Sequence, residues 1–107
     1  MIKIKIYSTA KGKKPFIEWL EDLDTKISSI VQTRINRVIL GNFGDCKTIK
    51  NGEGIHELRI DYGAGYRIYY GMEEKVIVIL LVGGSKKSQA KDIAKAKEYW
   101  LEYKGKK

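Results

Sequence analysis

The sequence predicts an α+β domain in the order β-α-α-β-β-β-α, with a helical hairpin and a C-terminal helix packed on a mostly antiparallel four-stranded sheet. Three observations predict it. The first residues alternate apolar and polar, the stretch from Pro15 to Gly41 repeats its apolar residues at helical spacing, and residues 57–82 hold three runs rich in β-branched and aromatic residues. A chain of 107 residues fits one domain, 1–107.

Ile2, Ile4 and Ile6 alternate with Lys3, Lys5 and Tyr7, so the first strand buries one face and leaves the other basic. Pro15 then suits a first helical position, and Phe16, Trp19, Leu20 and Leu23 fall on one helical face. Asp24 or Thr25 caps a second helix. Its apolar positions Ile27, Ile30, Val31, Ile35, Val38 and Ile39 keep the 3.6 period and end near Gly41. Residues 42–54 show no sustained period and read as a loop carrying Lys47 and Lys50.

The stretch ELRIDYGAGYRIYY, residues 57–70, reads as a hairpin turning at Gly63-Ala64-Gly65. A regular three-residue turn sets Tyr62 opposite Tyr66, Asp61 opposite Arg67 and Arg59 opposite Tyr69. Alternation then gives Leu58, Ile60, Ile68 and Tyr70 to the core, and Glu57, Arg59, Asp61, Arg67 and Tyr69 to a polar face. Every position from Val76 to Val82 is apolar, as in an interior strand, with the N-terminal strand as its second neighbour and the strand at 57–62 left at an edge. After Gly83-Gly84, Ser85 or Ser88 caps the last helix. Asp92 lies in its first turn, Ala90, Ile93, Ala94, Trp100 and Leu101 face inward, and the tail KGKK frays.

Charge bounds the partners. Lys and Arg number 21 against 13 Asp and Glu, a formal charge of +8. Residues 1–14 hold five Lys and no acid, and residues 84–107 hold eight Lys against three acids. Both ends of the chain are basic, which fits a polyanion such as RNA or an acidic protein, and equally fits a charged, soluble surface. Cys46 is the only cysteine, so an intramolecular disulfide is excluded and no Cys/His metal pattern exists. No metal and no cofactor are expected. The opening MIKIKIY lacks the apolar core of a signal peptide and no run reaches membrane-spanning length, so the expected location is the cytoplasm, without membrane contact.

Two motifs together, ELRxxxGxGYRIYY (57–70) and LLVGGSKKSQAKDIAKAKEY (80–99), resemble the RelE/ParE superfamily of type II toxin–antitoxin toxins, and within it the HigB-like addiction-module killer proteins. Pro15-Phe16 with Trp19-Leu20 is similar to the first helix of that branch. The resemblance spans nearly the whole chain. It implies a RelE-like fold and an endoribonuclease that cleaves mRNA, associated with the ribosome and silenced by a cognate antitoxin. Other members share the architecture and poison DNA gyrase instead, and a module that binds antitoxin without catalysis is a third possibility.

Metal-independent RNA cleavage proceeds by attack of a ribose 2′-OH on its own phosphate, and the charge that builds there needs fixed positive donors. Arginine supplies a planar fork that stays protonated. Arg59 and Arg67 match the ELR and GYR positions of the resemblance and are expected to clamp the scissile phosphate. Their competing structural roles are ion pairs, Arg67 with Asp61 and Arg59 with Glu57, or a stack of Arg59 on Tyr69. Lys86 matches the lysine of a GGxK element and Gln89 its following glutamine. Lys87 sits beside them at the mouth of the last helix, where free amides also attract phosphate. Tyr69, on the arginine face, is placed to stack a base or assist a proton. Lys47 and Lys50 reach substrate from the loop. His56, the only histidine, has the pKa of a general base, although its parity with Leu58 and Ile60 points it coreward. Relatives with a Tyr or His near the C-terminus have no clear counterpart in Tyr99 or Tyr103, which leaves the acid–base pair open.

Overall fold

A computed structural model describes residues 1–105. β1 (Lys3–Ile6) is followed by α1 (Pro15–Asp22) and α2 (Thr25–Ile39), then by strands β2 (Cys46–Thr48), β3 (Ile55–Ile60), β4 (Tyr66–Glu73) and β5 (Ile77–Ser85). A short 3₁₀ turn, Lys86–Ser88, leads into α3 (Gln89–Gly105). The sheet has five strands in the order β1-β5-β4-β3-β2, antiparallel except for the parallel β1–β5 pair. The α+β class and element order expected from the sequence hold, with one strand added.

Local chemistry explains the helix ends. Pro15 opens α1, where its missing N–H costs nothing. Asp24 caps α2, its Oδ1 accepting from the Ile27 amide at 3.0 Å. Gly41, with φ +93°, follows the last turn. Lys104 and Gly105 continue α3 rather than fraying, and Lys106 and Lys107 lie outside the described residues.

The sheet is covered on both faces, not on one. Leu58, Ile60, Ile68, Tyr70, Val78 and Leu80 meet Phe16, Val31, Ile35 and Val38 of the helical hairpin. On the reverse, Ile55, Tyr69, Ile79 and Leu81 meet Ala96 and Trp100 of α3. β5 is therefore interior on both faces and both edges, which accounts for its unbroken apolar run. Each such fully buried aliphatic side chain contributes about 1.5–3 kcal/mol of burial. Gly83 and Gly84 belong to β5 and do not form a turn. A Cβ at Gly83 would lie 2.2 Å from the Trp19 ring on one face, and a Cβ at Gly84 would lie 1.8 Å from Asp92 Oδ2 on the other. The pair thus admits a helix on each side of the strand end.

The observed α3 face differs from the expected one. Ala96 and Trp100 are buried, with Ile93, Tyr99 and Tyr103 packed beside them, whereas Leu101 is 52% exposed and Ala90 and Ala94 face outward. Amphipathic tyrosines, apolar in body and polar at the tip, take inward positions that a count of aliphatic residues assigns elsewhere. Tyr7 and Tyr103 show how: their hydroxyls donate to Glu102 and Glu73, both at 2.7 Å.

Two expectations about the hairpin are corrected. Residues 46–48, read as loop, pair with β3 as β2, so β3 is not an edge strand. The β3–β4 register also shifts by two: Ile60 faces Tyr66, Arg59 faces Arg67 and Glu57 faces Tyr69. β3 ends at Ile60, and residues 61–65 form a longer connection with Gly63 and Gly65 at φ +55° and +83°. An even shift keeps every side chain on its predicted face.

Candidate active site

The register sets Arg59 directly opposite Arg67 on the α3 side of the sheet, and Gly84 of β5 continues the row. Because Gly84 has no side chain, the first turn of α3 approaches here through Asp92. Ser85 and Ser88 form a reciprocal cap, and Ser88 Oγ also donates to Asp92. The Lys86 amide donates to the Gly65 carbonyl at 3.0 Å, which fastens the 3₁₀ turn against the hairpin connection. These ties gather Arg59, Arg67 and Lys86 with Asp45, Asp61 and Gly63–Gly65 around a cavity of about 260 Å³. The cavity walls are mainly polar and open to solvent.

Beneath the arginines lies a carboxylate with no solvent access. Glu57 is 0% exposed. Its Oε1 accepts from Arg59 Nε at 3.0 Å, and its Oε2 accepts from Gln89 Nε2 at 3.3 Å. Arg67 Nε stands 3.9 Å from Oε2, close enough for an ion pair and too far for a hydrogen bond. Arg67 also donates from Nη1 to the Tyr66 carbonyl at 3.1 Å. The hydrogen bond to Glu57 raises the Arg59 pKa above its ordinary value, against an opposing desolvation. The Arg59–Glu57 pair is the structural role weighed above, and it coexists with a guanidinium that still lines the cavity.

Arg34 braces the same region from α2. It donates to the carbonyls of Arg59, of Phe43 at 2.9 Å and of Asp45 at 2.7 Å, and so fixes the backbone on which two cavity residues stand. Nothing singled it out in advance. The available signal was a charged residue at position 34, on the apolar stripe that runs through Ile27, Val31 and Val38.

The other expected site residues divide. Lys47 pairs opposite Glu57 and so shares the arginine face, Gln89 reaches Glu57, and Lys87 and Lys50 are exposed. Tyr69 is on the arginine face but 0% exposed under α3, so it cannot stack on a base. Burial first, then the Glu57 and Asp92 carboxylates, push its phenol well above the usual range, which disfavours its ionised form. His56 lies on the opposite face of the sheet from the arginines, its ring stacked on Tyr70 at 5.2 Å and its Nδ1 3.0 Å from Thr48 Oγ1. Asp45 and Asp61, by contrast, are cavity carboxylates, a residue type able to accept a 2′-OH proton. Asp45 escaped notice because it precedes a strand that the pattern did not reveal. Among the described residues no group of His, Cys, Asp and Glu could hold a metal ion, and no helix is long and apolar enough to cross a membrane.

Burial lowers the His56 pKa below its ordinary 6.5. The unfolded chain therefore takes up this proton before the folded one, and stability present above about pH 6.5 declines as pH falls through that value. Thermal melts of His56→Gln between about pH 7.5 and 5 are expected to show a flatter decline than wild type. An unchanged slope would assign the acid sensitivity to other groups.

Residues 18–100, from α1 to Trp100 of α3, match the family described as Phage derived protein Gp49-like (DUF891). The chain belongs to the Gp49-like family. The match takes in both arginine strands, Lys86 and the first twelve residues of α3. A Haemophilus influenzae protein, described as "Uncharacterized protein", is 47% identical over 83 residues, covering 77% of this chain and 82% of its own length. The Gp49-like family is related to toxin–antitoxin modules and to RelE- and HigB-like proteins. This agrees with the resemblance read from the two motifs at the coarser level of a toxin-like module.

Proposed function

We propose that this Gp49-like protein is a single-domain, cytoplasmic toxin of a type II toxin–antitoxin module that cleaves mRNA at the ribosome without a metal. The observation that carries this is the direct pairing of Arg59 with Arg67 on adjacent strands, both lining one cavity with Lys86. In the reaction, the ribose 2′-oxygen attacks the adjacent phosphorus as its proton leaves to a base, and the 5′-oxygen of the next nucleotide departs with the bonding electron pair and takes a proton from water. The upstream fragment then ends in a 2′,3′-cyclic phosphate. The two guanidiniums hold the non-bridging oxygens as their charge grows, and Lys86 adds a third cation. Asp45 or Asp61 accepts the proton in this scheme. Lys47, on the arginine face, and the exposed Lys50 and Lys87 take flanking phosphates in this scheme, while Gln89 acts from the start of α3 through Glu57.

A cognate antitoxin with an acidic or amphipathic segment is the expected protein partner, drawn by the net charge of +8. The test is a translation extract programmed with a defined mRNA. Wild-type protein is expected to produce discrete cuts, which co-added antitoxin suppresses. Inhibition of growth with intact transcripts would overturn the nuclease proposal.

A further inference from the structure

We propose that Glu57 is the positioning residue of this site, a buried carboxylate that takes the Nε edges of Arg59 and Arg67 and leaves their Nη ends for a phosphate. The inference rests on the nuclease function proposed above and adds how its donors are held. Two arginines directly opposite on neighbouring strands repel, so the pairing that makes the clamp also opposes the sheet. Glu57, one residue pair behind on the same face, supplies the compensating charge. A carboxylate with no solvent access persists only when paired and hydrogen-bonded, and Arg59, Arg67 and Gln89 are the partners that surround it.

The geometry selects which donors are used. A guanidinium offers one Nε–H and four Nη–H groups. At Arg59 and Arg67 alike the atom nearest Glu57 is Nε, at 3.0 and 3.9 Å. Among the described residues no acceptor takes a hydrogen bond from the Arg59 Nη groups, and Arg67 spends only Nη1, on the Tyr66 carbonyl. Arg67 Nη1 also lies toward the cavity, since a Cβ built on Gly65 would stand 3.8 Å from it and 3.5 Å from Lys86 Cβ. Glu57 itself lies beneath the guanidiniums without solvent access, so it acts through them and does not touch substrate.

Gln89 extends this arrangement to α3. Its amide shares Oε2 with Arg67, which ties the start of the helix to the floor of the clamp. A change at the mouth of α3 is therefore felt by Arg67 through one carboxylate oxygen.

Glu57→Gln keeps the size and one acceptor oxygen but removes the charge. Single-turnover cleavage of a defined mRNA in the programmed extract is expected to fall on the order of 10- to 100-fold, because misaligned donors lose transition-state contact. Affinity for a 2′-O-methyl oligonucleotide is expected to change by less than about 3-fold, since both cations remain. A purely structural role would weaken binding and cleavage together, in step with lost folded protein. Wild-type cleavage rates in a folded Glu57→Gln protein would overturn the proposal. Should the variant not fold, or the wild type cut no RNA, side-chain ¹⁵N–¹H spectra of the wild type decide independently. An Arg59 Nε–H signal protected from exchange, and exposed to exchange in Glu57→Ala, supports the clamp on Glu57, and an unprotected wild-type signal overturns it. Absence of cutting with protected signals would remove the nuclease function alone.

Discussion

Arg67→Ala is expected to lower mRNA cleavage by about 100- to 1,000-fold, the usual cost of deleting one preorganised donor to a developing oxyanion. Arg67 is the more buried of the cavity's two arginines, with its side chain 13% exposed against 34% for Arg59, so it is the more shielded from water. It pays little reorganisation at the moment of reaction. Part of the cost will appear as stability, because Glu57 then keeps only Arg59 and Gln89 as partners. Arg67→Lys separates the two effects. Lysine preserves the charge beside Glu57 and loses the planar fork, so folding should recover while cleavage stays low. The assay is the rate of fragment appearance from a defined transcript, normalised to folded protein. A lysine variant that cuts at the wild-type rate would show that charge alone is needed and that fork geometry is not.

The largest effect on stability is expected from Trp100→Ala, about 3–5 kcal/mol by analogy with other buried Trp truncations. Trp100 is 5% exposed and is the main apolar anchor of α3. Its ring lies where a Cβ on Gly71 would be, at 2.5 Å, and Nε1 is 3.2 Å from the Cβ position of Gly54. Tyr103 stacks on it at 5.6 Å with nearly parallel planes. Urea unfolding reads this as a lower midpoint with an unchanged slope. The same variant should loosen the mouth of α3, where Gln89 and Asp92 meet the arginine row, and cleavage should fall with it. A loss below about 1 kcal/mol would mean that the second core is not what holds α3 to the sheet.

Much of this was legible in residue order because the physics was local. Pro15, Asp24 and Gly41 mark helix ends through their own backbone chemistry, and the apolar run reads as an interior strand, which the structure starts at Ile77 and not at the exposed Val76. The arginine face survived a wrong register because the error was even: moving Arg59 from opposite Tyr69 to opposite Arg67 changes the neighbour and not the face. What escaped depends on distant partners. Cys46–Thr48 is short and exposed at every residue, so it has no alternation to read and becomes a strand only by pairing with β3. Glu57 and Tyr69 looked like surface because a charged residue and a tyrosine alternate with core positions. They are buried because α3 crosses that face, with Glu57 made tolerable by the two arginines and Gln89.

The paired guanidiniums are the physical centre of this account, and the chemistry at the cut ends tests them most directly. In the programmed extract, wild-type protein is predicted to leave upstream fragments ending in 2′,3′-cyclic phosphate, and the Arg59→Ala, Arg67→Ala double variant is predicted to leave the transcript whole. Fragments ending in a free 3′-hydroxyl, or identical cuts made by the double variant, would contradict it.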